Sequence, residues 1–255
     1  MARIFITGSA DGLGLGAARA LIAEGHEVVL HARSSERARS LAGRVSGSPP
    51  VVVGDLANAD ETRSVADQVN AIGRMDAVIH NAGIYSTPDR ATTPEGHAAI
   101  LAVNTLAPYI LTALIERPDR LIYLSSGMHR NGGGSLGDMD WIERRWDATQ
   151  AYCESKLHVA ALAAGLSRWW PDVLSNAVDP GWVPTRMGGA SATDDLEEGH
   201  LTQIWLATSD DRAAKVRGGY WHHRQQRPAA NEVSNPGFQD QLIERLADLT
   251  GTDLP

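Results

Sequence analysis

The sequence predicts an α/β protein built on one doubly wound parallel sheet with helices on both faces. Three observations predict it. Short β-rich runs alternate with amphipathic stretches of helical length, and a glycine-rich turn stands between the first strand and the first helix. No linker, internal repeat or low-complexity tract divides the 255 residues. Strands that alternate with helices of this length need crossover connections, and crossovers imply parallel pairing.

The elements follow in order. Residues 4–7 are apolar and β-branched, which predicts the first strand. A helix over 17–24 stops at Gly25, a natural C′ residue. Residues 28–30, 51–53 and 77–80 predict the next three strands. Between the last two, 60–72 has helical spacing, with Val65, Val69 and Ile72 on one face. A longer helix over 95–115 and a fifth strand over 120–124 come next. An Ala/Leu-rich helix over 151–170 is closed by Pro171. A sixth strand over 173–178, a helix over 194–208 and a last strand over 219–222 complete the pattern. Residues 127–148, rich in Gly and Asn, read as irregular. Residues 224–237 are polar and fit no element.

Composition sets limits. With 43% hydrophobic and 21% charged residues the chain has the make-up of a globular protein, and it is long enough to bury a sizeable core. A formal net charge of −8 repels phosphate backbones, so no nucleic-acid partner is expected, and a dinucleotide would need a local positive feature. The single cysteine, Cys153, excludes an intrachain disulfide, points to the reducing cytoplasm and reads as packing. No apolar run reaches the ~18 residues of a membrane span. Residues 2–8 already read as strand and turn, so no signal peptide is expected. No metal site is visible. His222 and His223 are adjacent, and in a strand their side chains would point to opposite faces.

Two groups of residues carry chemistry. The first is Thr7-Gly8-Ser9-Ala10-Asp11-Gly12-Leu13-Gly14. Gly8, Gly12 and Gly14 let the backbone approach a pyrophosphate closely, and N–H groups at the helix start meet its charge, as in a Rossmann-type fold. The second is Tyr152 and Lys156, four apart in a helix and so on one face. A nearby ammonium favours the phenolate and should lower the tyrosine pKa towards neutrality. A tyrosine so placed gives its proton to a carbonyl oxygen as hydride reaches the carbon. Ser126, ending the fifth strand, can hydrogen-bond the same oxygen, as could its neighbour Ser125. In an NAD site an acidic residue ends the second strand; here that position is Ala32, followed by Arg33. Arg33, with Ser34 or Ser35, suits a 2′-phosphate. Asp11 in the turn would mildly oppose one. The balance favours NADP(H) over NAD(H).

The turn has the spacing G-x-x-x-G-x-G. Together with Asp55, Asn81-Ala82-Gly83, Tyr152-x-x-x-Lys156 and Pro180-Gly181-Trp182-Val183-Pro184-Thr185, it resembles the short-chain dehydrogenase/reductase family from residue 4 to about residue 222. The resemblance implies a catalytic tetrad of Asn104, Ser126, Tyr152 and Lys156. In it the serine of the pair Ser125-Ser126 that acts is Ser126, Lys156 also holds the nicotinamide ribose, and Asn104 positions a relay water. It implies that Asp55 with Leu56 contacts adenine and that Asn81, Ala82 and Gly83 steady the sheet beside the cofactor. It implies too that Pro180, Gly181, Val183 and Thr185 wrap the nicotinamide.

Ser126 and Tyr152 stand 26 residues apart, about twice the usual separation in this family. The added stretch, with residues 106–112, is similar to retinol-dehydrogenase-like proteins and bacterial ketoreductases acting on polyketide side chains. That implies a small-molecule substrate, a bulky and partly apolar ketone or aldehyde and its alcohol. The stretch is expected to form a wall or flap over the substrate; His129, close after Ser126, could line the pocket but reads more readily as a surface histidine. It precedes a helix that many relatives use to dimerise, so a homo-oligomer stays open. A non-catalytic NADP(H)-binding sensor is the alternative, but such proteins usually lose the tyrosine or the lysine. A nucleotide-sugar epimerase would need a longer C-terminal region than the roughly 70 residues after Val183.

Overall fold

Alternation along the first strand divides the core into two layers. In β1 (Arg3–Ile6), Ile4 and Ile6 face one layer and Phe5 the other, and all three are fully buried. A computed structural model gives the rest, and the structure describes residues 1–85 and 89–255. The strands β2 (Glu27–Ala32), β3 (Val51–Val53), β4 (Ala77–His80), β5 (Arg120–Leu124), β6 (Leu174–Asp179), β7 (Tyr220–His222) and β8 (Gln225–Arg227) join β1 in one sheet. Its order is β3-β2-β1-β4-β5-β6-β7-β8, parallel throughout except for the antiparallel pair β7–β8. The strand order reverses between β1 and β4, and in such sheets ligands bind outside the carboxyl ends of the strands at that point.

The helices α1 (Gly12–Ala23) and α7 (Leu196–Thr208) cover the Ile4/Ile6 layer. On the Phe5 layer lie α3 (Ala59–Ile72), α5 (Ala107–Leu114), α6 (Ala148–Trp169) and α8 (Pro236–Thr250). Short α2 (Ser35–Arg39) follows β2 and is capped by Ser34, whose Oγ accepts the Arg37 N–H.

The structure departs from expectation in three places. The helix predicted over 95–115 is interrupted. Gly96 has a φ of +92°, Thr92 bridges Ala98, and only then does α4 (Ala99–Leu101) begin. It runs through a π-helical turn, Ala102–Leu106, into α5. Residues 225–227 form a hairpin with β7 through a turn in which His223 and Arg224 both have positive φ. Turning the chain there brings the His222 and His223 rings into a stack at 3.9 Å, not onto opposite faces. Finally, α8 was not anticipated, although Asn235 caps it, Pro236 starts it and Gly251 ends it in the left-handed region.

Residues 127–148 contribute no lining residue to the glycine-lined cleft described below. They lie against α6. A Cβ on Gly132 would come within 2.9 Å of the Cys153 carbonyl oxygen, so only glycine allows this approach. Asp138 accepts the N–H groups of Ile142, Glu143 and Arg144. Asp140 takes His97 Nδ1 at 2.8 Å and the Ala98 N–H, tying the segment to the start of α4.

Candidate active site

The glycine turn is built by packing as much as by chain reversal. Gly8 and Gly12 have φ of +63° and +52°. A Cβ on Gly14 would stand 2.5 Å from Asn81 Nδ2 and 2.6 Å from the Gly8 oxygen, so its role is close contact between α1 and the sheet. Ser9 is fully buried, and its Oγ accepts the His31 N–H. It therefore locks the turn to β2 and does not face a ligand. His31, unremarked in the sequence, accepts the Gly8 N–H at Nδ1 and donates from Nε2 to the Gly54 oxygen. Burial lowers its pKa, so it stays neutral and rigid.

Asp11 caps α1 by accepting the Gly12 N–H. That bond, with Arg37, holds its carboxyl below the ordinary range. Its carboxylate pairs with Arg37 at 3.2 Å and with Arg44 at 3.7 Å. The charge expected to oppose a phosphate is therefore neutralised by two arginines the sequence reading did not single out. Arg33 and Arg37 both line a cleft with Gly8, Asp11, Gly12, Leu13, Asp55, Leu56, Asn81, Ala82 and Gly83. Its far wall is Tyr152, Lys156, Pro180, Thr185, Arg186 and Met187. The cleft has a volume of about 360 Å³, within the roughly 300–1,000 Å³ of small-molecule sites. Gly181 has a φ of +83° and lies against Asp194, while Val183 is buried against Gly199; both shape the loop from behind.

The four residues expected to form the tetrad lie around the ends of β4 and β5, Asn104 bonded to Ile84 and Lys156 to Leu124. Tyr152 and Lys156 are buried on one face of α6, with the Lys156 nitrogen 5.6 Å from the tyrosine ring centre. Lys156 donates to the Leu124 oxygen at 2.9 Å. Burial lowers its pKa to about 8. Burial likewise pushes Tyr152 up to about 12, partly offset by a hydrogen bond with Ser126. Desolvation is thus the largest influence on this tyrosine. Ser126 Oγ also accepts the Met128 N–H. Ser125 Oγ donates to the Lys156 carbonyl and so braces α6.

Asn104 lies in the π-helical turn, where its carboxamide meets the Ile84 backbone twice, accepting the N–H at 2.8 Å and donating to the oxygen at 2.9 Å. It donates as well to Ser155, whose hydroxyl bonds the Tyr152 carbonyl. Asn104 therefore joins the end of β4 to the helix that carries the tyrosine. His129 is fully buried, not at the surface. It bonds the Ser126 oxygen through Nδ1 and accepts the Ala230 N–H at Nε2, fixing the serine to the C-terminal segment. Tyr85 also escaped the sequence reading; its ring meets Tyr152 edge-on at 4.7 Å.

A glycine cradle at the switch point of a parallel sheet, with a buried Tyr-Lys pair at its mouth, defines a dinucleotide-dependent oxidoreductase class. The comparisons agree. The model of a family described as enoyl-(acyl carrier protein) reductase matches residues 8–213. The short-chain dehydrogenase chyC of Penicillium rubens is 41% identical, with all of both chains covered. DnrU of a Streptomyces species, provisionally named a daunorubicin C-13 ketoreductase, is 30% identical over 97% of this chain and 92% of its own. A structure of an uncharacterised protein from Mycobacterium paratuberculosis superposes with a TM-score of 0.87 at 25% identity, covering 100% of this chain and 95% of the other. This chain belongs to the short-chain dehydrogenase/reductase family, and it is an oxidoreductase of the carbonyl/alcohol kind. Among the described residues no helix is long and apolar enough to cross a membrane.

The site fits a dinucleotide. Asn81 Oδ1 is buried in the cleft wall without a hydrogen-bond partner, and an unmatched acceptor there suits a ligand hydroxyl. Lys156 has three donors and uses one on Leu124, while its nitrogen lies 3.2 Å from where a Cβ on Gly83 would be.

Proposed function

We propose that the protein is an NADP(H)-dependent reductase of a ketone or aldehyde, working as one dinucleotide-binding and catalytic unit with Tyr152 as proton donor. The observation that carries this reading is the buried Tyr152–Lys156 pair, with Ser126 nearby at the end of β5, on the wall of the glycine-lined cleft. A bound nicotinamide would supply the hydride. Gly8, Gly12 and Leu13 would hold the pyrophosphate, Asp55 and Leu56 the adenine, and Lys156 the ribose beside the nicotinamide. Tyr152, protonated well above neutral pH, donates to the carbonyl oxygen while Ser126 fixes that oxygen in line. Asn104 keeps the tyrosine helix in register with the end of β4. Trp182 and Met187, 52% and 44% exposed beside the cleft, would offer an apolar wall to a bulky substrate.

Arg33 and Arg37 support NADP(H). Turnover of aromatic, quinonoid and polyketide ketones, measured separately with NADPH and NADH, should favour NADPH. Arg33→Ala/Arg37→Ala should raise KM for NADPH about 10- to 100-fold, the range of one or two charge-assisted hydrogen bonds, and leave KM for NADH within about threefold. A wild-type preference for NADH would overturn the cofactor assignment.

The pH dependence has a definite sign. Tyr152 keeps its proton up to about pH 12, so the group that limits reduction is Lys156, charged below about pH 8. The kcat/KM for ketone reduction should be flat on the acid side of that value and fall about tenfold per unit above it. A decline already complete by about pH 7 would show an acidic tyrosine instead.

A further inference from the structure

We propose that Asp179 reads the substrate, accepting a hydrogen bond from a hydroxyl or N–H group carried a few bonds from the carbonyl that is reduced. The proposal rests on the reductase reading and names its substrate class. Asp179 ends β6, directly before Pro180. Its Oδ1 accepts the Gly181 N–H at 3.0 Å, a bond that a neutral side chain could also make. Its Oδ2 faces Gly127, the residue after Ser126, where a Cβ would stand only 3.1 Å away. Gly127 is exposed, so absence of a side chain there leaves the carboxylate open to whatever lies against Ser126.

The charge has no partner equal to it. Among the described residues no lysine or arginine is within ion-pair distance of Asp179; His222 Nδ1 approaches to 3.9 Å. The carboxylate side chain is 17% exposed. Beside it Tyr220 buries a hydroxyl that has no well-aligned hydrogen bond to Asp179 or Ser125. A largely buried carboxylate without a cation is costly unless donors surround it. Its Oδ2 lies beside Gly127, the residue after Ser126, which places it next to the serine at the end of β5. It is not among the residues lining the glycine cleft, so it stands outside the walls expected to hold the dinucleotide. What remains is the substrate, through a donor close to the carbonyl.

The test uses matched ketones in the full-length enzyme with NADPH. They are 2-hydroxy-1-phenylethanone, its methyl ether of similar shape, and 2-oxo-2-phenylacetate as an anionic analogue. Wild-type kcat/KM should favour the hydroxy ketone over the ether by about tenfold or more, and the anion should be the poorest of the three. In Asp179→Asn, which keeps an acceptor for Gly181, the preference should shrink to within about threefold, mostly through KM. Asp179→Ser, which can also cap Gly181, should do the same. A purely structural role would lower hydroxy ketone and ether equally and leave their ratio unchanged; that result, or a wild-type ratio near one, would overturn the proposal. Failure of the wild type to reduce any ketone would instead overturn the reductase reading beneath it.

Discussion

Replacing Tyr152 with Phe is expected to lower kcat for ketone reduction by about 10³-fold, within the roughly 10²–10⁴ range of a positioned general acid. The variant removes one oxygen and little else. The ring stays buried and edge-on to Tyr85, and Lys156 remains held by the Leu124 oxygen. NADPH affinity, followed by fluorescence titration, should therefore change by less than about threefold while turnover collapses. Ser126 alone can still bond the carbonyl oxygen, but an aliphatic hydroxyl is too weak an acid to replace the phenol as proton donor. A loss in kcat below about tenfold would remove Tyr152 from the role of acid.

The second large effect is on stability. Glu154, directly after the tyrosine and its neighbour Cys153, is almost fully buried on the far side of α6. It receives both terminal nitrogens of Arg144, at 2.8 and 2.9 Å, and the Trp141 indole N–H at 3.1 Å. The Arg144 guanidinium also stacks 3.9 Å from the Trp141 ring centre. Glu154→Ala would strand the arginine and the indole together. Loss of one partner of a buried pair costs ~3–5 kcal/mol, and the partial exposure of Arg144 reduces this to about 2–3 kcal/mol. For a chain of this size that is a fall in Tm of roughly 4–12 °C. Glu154→Gln, which keeps an acceptor for Trp141, should lose about half as much. A shift below about 2 °C for the alanine variant in a thermal melt would show that 127–148 is not anchored here.

The comparison of sequence with structure follows the range of the interactions involved. Strands β3, β4 and β5 match their predicted limits, since each is built round a run of apolar residues such as a buried parallel strand requires. The glycine turn and the Tyr-Lys pair were legible because their spacing is local. What escaped depends on distant partners. Arg37 meets Asp11 across 26 positions, and His129 meets Ala230 across 101, so neither pairing leaves a mark on local spacing. The same holds for Asp179, whose neighbours come from the ends of β5 and β7. The break at 96–106 reflects the loop before α4 and the Asn104–Ile84 clamp, tertiary bonds that override helical periodicity. Helix α8 was legible but unread: Phe238, Leu242, Ile243 and Leu246 recur at helical spacing between an Asn-Pro start and a glycine stop.

The central claim is hydride transfer to a carbonyl at this site. It is tested most directly with NADPH carrying deuterium at the transferable position of C4, incubated with the ketone panel. The account predicts alcohol product labelled at the carbinol carbon, in step with NADPH oxidation and lost in Tyr152→Phe. Tight binding of NADPH with no labelled alcohol from any ketone, while the protein remains folded, would contradict it.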